Sequence, residues 1–113
     1  MIDVIYIDIE EGLKRVMNNS ALYSKLLLKF KEYTHVSEIE AALEQGEMEK
    51  AQNSAHTLKG LAANLSFTEL YKKVQEIEAQ IKSGSVDNEI LGQLKNVYVK
   101  TMEEADKVIE QNA

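Results

Sequence analysis

The sequence contains no cysteine, no proline and no tryptophan, and Arg15 is the sole arginine among 113 residues. Without cysteine there is no disulfide framework, no thiolate nucleophile and no cysteine-based zinc site. Without proline the strongest helix breaker is missing. A net charge of −6, from 13 Lys plus Arg against 19 Asp plus Glu, argues against a nucleic-acid partner, whose phosphate backbone needs a basic face. Anionic membrane surfaces are disfavoured on the same ground. Uncharged runs such as Ala51 to Leu58 and Gly60 to Thr68 fall far short of the ~20 apolar residues that cross a bilayer. The opening MIDVIYIDIEEG carries Asp3 and Asp8 and no basic lead, so it does not read as a signal peptide. These features predict one domain over residues 1–113, cytoplasmic, with no nucleic-acid or membrane partner. The initiating Met1 and the length favour an independent protein.

What is present favours helix. The chain is 44% apolar and 28% charged, ordinary for a folded domain, and is rich in Leu, Glu, Lys, Ala and Gln. Asp8 with Glu11 forms a capping box ahead of Leu13, Val16 and Met17, a short leading helix. From Ser20, the positions Leu22, Leu26, Leu27, Phe30 and Tyr33 recur at three- and four-residue steps, with Lys25, Lys29 and Lys31 on the wet side. Ser37 with Glu40 predicts the start of a short helix through Ile39, Ala42 and Leu43 that stops at Gly46. A longer helix is expected from Glu47 to Leu65, carrying Met48, Ala51, Ala55, Leu58, Ala62 and Leu65 at helical spacing. Ser66 with Glu69 repeats the capping box, and Leu65 with Leu70 forms the hydrophobic staple.

Phe67, Leu70, Val74, Ile77 and Ile81 then make a narrow stripe that ends at Gly84, suited to antiparallel packing across a short turn. The last helix is predicted from near Val86, with Ile90, Leu94, Val97, Tyr98, Ala105, Val108 and Ile109 on its apolar side and Gly92 interrupting it. Ile2 to Ile7 alternates like a strand, but no second strand exists to pair with it, so an extended tail on the helices is expected. The predicted fold is all-α: an antiparallel, up-and-down four-helix bundle with a short additional N-terminal helix.

Chemistry near neutral pH has two histidines to draw on. On a helical wheel His56 lies about 140° from the apolar stripe of its own helix, so its ring should face solvent. Glu49, Gln52, Asn53, Gly60 and Ala63 surround it, with Lys59 about 60° to one side. Gly60 is informative, because a mid-helix glycine costs ~1 kcal/mol relative to alanine; an approaching molecule would account for it. An exposed neutral imidazole can accept a phosphoryl group through a ring nitrogen, and Lys59 could compensate the charge. The same residues also read as a surface histidine beside a surface lysine with a tolerated glycine, and the wheel leaves both readings open. Glu32-Tyr33-Thr34-His35 fits the Glu-x-x-His spacing of di-iron helices, but His35 has no counterpart. It reads as a solvent-facing residue favouring the negative end of its helix, and no metal site is predicted.

The run Ala55-His56-Thr57-Leu58-Lys59-Gly60-Leu61-Ala62-Ala63-Asn64-Leu65 closely resembles the signature helix of histidine-containing phosphotransfer (HPt) domains. The likeness extends to the Asp8-Ile9-Glu10-Glu11-Gly12-Leu13 opening, the Leu22-Tyr23 to Phe30 helix, the short helix ending in Gly46 and the Leu70 to Gly84 helix. It implies a phosphorelay intermediate that takes a phosphoryl group from one receiver-domain aspartate onto His56 and passes it to another. By the same resemblance Lys59 stabilises the phosphoryl group, Gly60 leaves room for the receiver beside Gln52, Asn53 and Ala63, and Glu78 orients the imidazole. The family usually has glycine where Ser66 stands; Ser66 reads instead as an N-cap.

No glycine-rich nucleotide loop is present, so ATP-dependent kinase activity is not expected. No cofactor is expected in the chain itself; Mg2+ for the transfer would come with the receiver's acidic pocket. The implied partners are receiver domains of a hybrid histidine kinase, a response regulator or both, met by a monomer. The alternative is a non-catalytic helical adaptor in which His56 is idle.

Overall fold

The structure, a computed structural model, describes residues 4–111. Six helices follow one another: α1 (Ile9–Arg15), α2 (Ser20–Phe30), α3 (His35–Glu44), α4 (Met48–Asn64), α5 (Thr68–Ser83) and α6 (Asn88–Gln111). No strand occurs among the described residues. Helix α3 packs on α4, α4 on α5, α5 on α6, and α6 back on α3, which closes a four-helix ring. Short turns at residues 45–47, 65–67 and 84–87 make consecutive members antiparallel. Helix α2 lies against α6, and α1 against α2. Among the described residues, no helix is long and apolar enough to cross a membrane.

The stripe predicted on α5 is the one that is buried: Leu70, Val74, Ile77 and Ile81 point inward, with Phe67 just ahead of the helix. On α4 the inward residues are Ala51, Ala55, Leu58 and Ala62; three alanines let α3 and α5 approach it closely. Phe30 of α2 meets Phe67 edge to face at 4.9 Å between ring centroids. Each fully buried side chain of this size contributes roughly 1.5–3 kcal/mol.

Four starts or faces differ from the sequence reading. Helix α2 buries Tyr23, Ser24, Leu27 and Phe30, while Leu22, expected inside, is 41% exposed. Tyr23 decides the rotation. Its hydroxyl donates to the Leu65 carbonyl oxygen at 2.7 Å, and its ring fills the space beside Gly12, where a Cβ would come within 2.5 Å of the phenol oxygen. Helix α3 begins at His35 with Thr34 as N-cap, not at Ser37. Ser37 is inside the helix because Val36 packs against the core a turn ahead of Ile39. His35 therefore stands at the positive end of α3 rather than a negative one, with Nδ1 3.1 Å from Glu38 Oε2. Glu32 follows the end of α2 while His35 opens α3, so the Glu-x-x-His spacing does not lie on one helix.

Ser66 is the third correction. It is not the N-cap of α5; that position is Phe67, which makes no side-chain cap. Ser66 has φ 61° and closes α4 in a Schellman arrangement: Phe67 N–H donates to Ala62 O at 2.8 Å and Ser66 N–H to Ala63 O at 3.2 Å. A left-handed residue here explains why a glycine suits this turn. Ser66 is also buried, and its hydroxyl has no partner. Ser66→Gly should therefore stabilise the fold by about 1–2 kcal/mol, through relief of the left-handed conformation and removal of an unsatisfied hydroxyl, less the added freedom of glycine in the unfolded chain. Thermal denaturation checks this; an unchanged or lower midpoint would show that the turn carries no strain.

From residue 4 the N-terminal segment has no regular secondary structure before α1 and lies against α6 and the α4–α5 turn; residues 2 and 3 of the predicted tail lie outside the described residues. Ile7 is buried. The Glu104 carboxylate accepts from Tyr6 N–H at 3.1 Å and Ile7 N–H at 3.3 Å, and Asp8 N–H donates to Ser66 O at 2.9 Å. Asp8 then caps α1 by accepting from Glu11 N–H at 3.1 Å, which is the expected capping residue. Helix α6 starts at Asn88, two residues later than the predicted Val86, because Asp87 accepts from Glu89 N–H at 2.8 Å and caps it.

Candidate functional site

Helix α4 carries the site because its two faces differ in composition. Ala51, Ala55, Leu58 and Ala62 are buried, and the opposite face is left to His56, whose side chain is 74% exposed. The solvent-facing histidine predicted from the wheel is thus where the structure has it. Asn53 and Gly60 are exposed, and Gln52 and Ala63 half-buried, on the same face. A Cβ built on Gly60 would meet nothing within 4 Å. The open ground around the ring extends along the helix.

Glu78 reaches this face from α5. Although it belongs to the helix's buried set, its carboxylate has two partners: Oε2 lies 3.2 Å from His56 Nδ1, and Oε1 accepts from Lys59 Nζ at 2.5 Å. Burial pushes the Glu78 carboxyl up, but the hydrogen bonds from Lys59 and His56, with the charges of Lys59 and Lys82, outweigh it and hold it below its ordinary value. An ionised carboxylate can only accept. We therefore assign the ring proton to Nδ1, which leaves the lone pair on Nε2, away from Glu78. Lys59 is raised above its ordinary value, first by its hydrogen bond to Glu78, with burial opposing.

The resemblance already linked Glu78 to the His56 ring; the structure adds that Lys59 binds the other oxygen of the same carboxylate. The Lys59 ammonium is turned to α5 and Glu78. Tyr71, whose electrostatic influence also raises Lys59, went unnoticed in the sequence. It stands seven residues before Glu78 on α5, a separation that returns to the same face of the helix, and that register is the signal that could have found it.

A family model described as Hpt domain matches residues 33–108. The chain belongs to the Hpt family. No curated protein and no solved structure matches the chain significantly. The matched span covers α3, α4, α5 and most of α6 and holds His56, Lys59, Gly60 and Glu78, while α1 and α2 precede it. As an Hpt domain the protein is a phosphotransfer intermediate of two-component signalling, a class of phosphocarriers that generally lack kinase activity and interact with receiver domains. Among the described residues, no group of three or more His, Asp or Glu is placed to hold a metal ion.

The pH dependence of stability follows from Glu78. Its folded-state value lies below its ordinary 4.5, so its ionised form stabilises the fold above that pH, and the contribution is lost as pH falls through the lowered value. Glu78→Gln should flatten the acid side of a plot of melting temperature against pH. Its amide oxygen can still accept from Nδ1, so phosphotransfer should slow only a few-fold. Melting curves between pH 2 and 7 test the first statement; parallel acid limbs for both proteins would remove Glu78 from the account.

Proposed function

We propose that this Hpt domain accepts a phosphoryl group on His56 Nε2 from the aspartate of one receiver domain and delivers it to another. The observation that carries the reading is an exposed imidazole whose Nδ1 is held by Glu78. A neutral ring with its lone pair directed to solvent is the form that attacks phosphorus. In the step, the Nε2–P bond forms as the aspartyl O–P bond breaks, the carboxylate leaves with the bonding electrons, and Nδ1 keeps its proton. Lys59, which shares the Glu78 carboxylate with the ring, compensates the new charge by shifting from Glu78 toward the phosphoryl oxygens.

Gln52, Asn53, Gly60 and Ala63 form the ground on which the receiver rests, and Glu78 acts as the positioning residue for the ring. Mg2+ comes with the receiver's acidic pocket. The chain works as a cytoplasmic monomer without ATP-dependent kinase activity of its own. The test is incubation with a phosphorylated receiver domain. Appearance of an acid-labile, base-stable label on His56 is expected, and no label after complete receiver dephosphorylation would refute the reading.

Lys59→Ala should slow transfer or shorten the phosphohistidine lifetime several-fold. Both are measured on labelled protein, and an unchanged rate and lifetime would leave Lys59 as a partner of Glu78 alone.

A further inference from the structure

Holding the imidazole of His56 requires only a hydrogen-bond acceptor, yet the residue that holds it is a buried carboxylate. The Glu78 side chain is 4% exposed, and a buried charge is costly unless paired and hydrogen-bonded. An amide oxygen would accept from Nδ1 without needing a cation beside it. The charge therefore calls for a use beyond orientation, and the phosphorylated ring supplies one.

In the resting site the carboxylate is divided. Oε1 accepts from Lys59 Nζ at 2.5 Å, and Oε2 lies 3.2 Å from His56 Nδ1. Once Lys59 turns to the phosphoryl oxygens, the whole charge of Glu78 falls on the Nδ1 proton, in surroundings that screen it little. Few other charges act there. Lys82, one turn further along α5, is the other cation felt by Glu78, and Tyr71 acts on Lys59. On α4, Glu49 shares the face of His56 but stands two turns away, about 10 Å at ~1.5 Å per residue. The charged groups of α3 and α1 are engaged elsewhere: His35 with Glu38, Glu40 with Lys95 of α6, Lys14 with Glu10 and Arg15 with Glu11.

We propose that Glu78, freed of Lys59, keeps Nδ1 protonated on the phosphorylated ring at neutral pH, and so makes the phosphohistidine both a ready donor and a short-lived one. This rests on the phosphotransfer reading above. In delivery, a receiver carboxylate oxygen attacks phosphorus, the O–P bond forms, the Nε2–P bond breaks, and its electron pair returns to Nε2. With the proton on Nδ1 throughout, the departing ring is neutral imidazole in its original tautomer. Without it the ring would leave as an imidazolide anion, a far poorer leaving group, unless a proton arrived at that moment. Water attacking in place of the carboxylate meets the same leaving group and gives its own proton to solvent, so the proton that speeds delivery also shortens the lifetime. Glu78 acts through the ring, as a positioning residue for its proton.

The test compares the full chain with Glu78→Gln, both labelled by phosphoramidate, a small donor. The phosphorus NMR resonance of the phosphohistidine is followed from pH 6 to 10, with the decay of the label at each pH. Glutamine still accepts from Nδ1, so orientation alone predicts coincident curves. Loss of the charge is expected to lower the midpoint of the phosphorus titration by about one pH unit or more, the difference between a charge-assisted and a neutral hydrogen bond, and to lengthen the lifetime at neutral pH several-fold. Lys59→Gln leaves the carboxylate in place, and its midpoint should stay at or above that of the parent. Coincident titrations of parent and Glu78→Gln would overturn the proposal, even if transfer slows in the variant. An equal fall in both variants would also overturn it, since the cause would then be general damage to the site. A parent chain that phosphoramidate labels but no receiver does would refute the phosphotransfer reading, and the donor role with it, whatever the titration shows.

Discussion

His56→Gln is expected to abolish phosphoryl acceptance while leaving the helices in place. The exposed side chain contributes little packing, glutamine is a good helix former, and surface changes of this kind usually move stability by less than ~0.5 kcal/mol. Lys59 keeps its bond to Glu78 without the imidazole, so the neighbouring ion pair survives. Labelling falls to background because the amide has no nucleophilic lone pair on nitrogen. The other histidine is a poor substitute: His35 opens α3, its side chain is 22% exposed against 74% for His56, and its ring lies against Tyr33. Circular dichroism and transfer from a phosphorylated receiver, measured on one sample, decide the matter. A folded variant that still accepts label would place the acceptor elsewhere.

Gly60→Gln should separate stability from function in opposite directions. A side chain added at Gly60 has open space around it, so the substitution removes the entropic cost of an exposed mid-helix glycine. It should stabilise α4 by up to ~1 kcal/mol and raise the melting temperature by about 3–5 °C. The same side chain would stand one turn from His56, in the space that a receiver needs for close approach. In-line transfer tolerates little displacement, and a misplacement of ~1 Å can cost a hundredfold. Transfer should therefore fall tenfold or more, chiefly in kcat/KM. A protein that melts higher and transfers at the parental rate would show that the receiver does not cover Gly60.

The helical class, the exposure of His56 and the buried stripes of α4 and α5 were legible in the sequence for one reason. Helical periodicity converts directly into a face, and the apolar residues Ala51, Ala55, Leu58 and Ala62 leave His56 only the opposite side. Contacts across helices carry no such local signature. Periodicity alone put Leu22 inside, whereas Tyr23 is buried because its hydroxyl finds the Leu65 carbonyl from a residue 42 positions away in sequence. The capping pattern at Ser66 has the right residue types for an N-cap, yet the turn that brings α5 back along α4 requires a left-handed residue there, and the Schellman hydrogen bonds overrule the local preference.

The site divides along the same line. His56 and Gly60 could be named from one helix, because exposure and an unexplained glycine are local properties. That Glu78 holds Nδ1 with one oxygen and Lys59 with the other depends on how α5 is rotated against α4, which the core residues Val74, Ile77 and Ile81 determine by burying the face next to it. Sequence alone named the residue proposed to react. Which ring nitrogen faces outward and where the lysine rests were decided by tertiary packing, because each depends on atoms brought together from different helices.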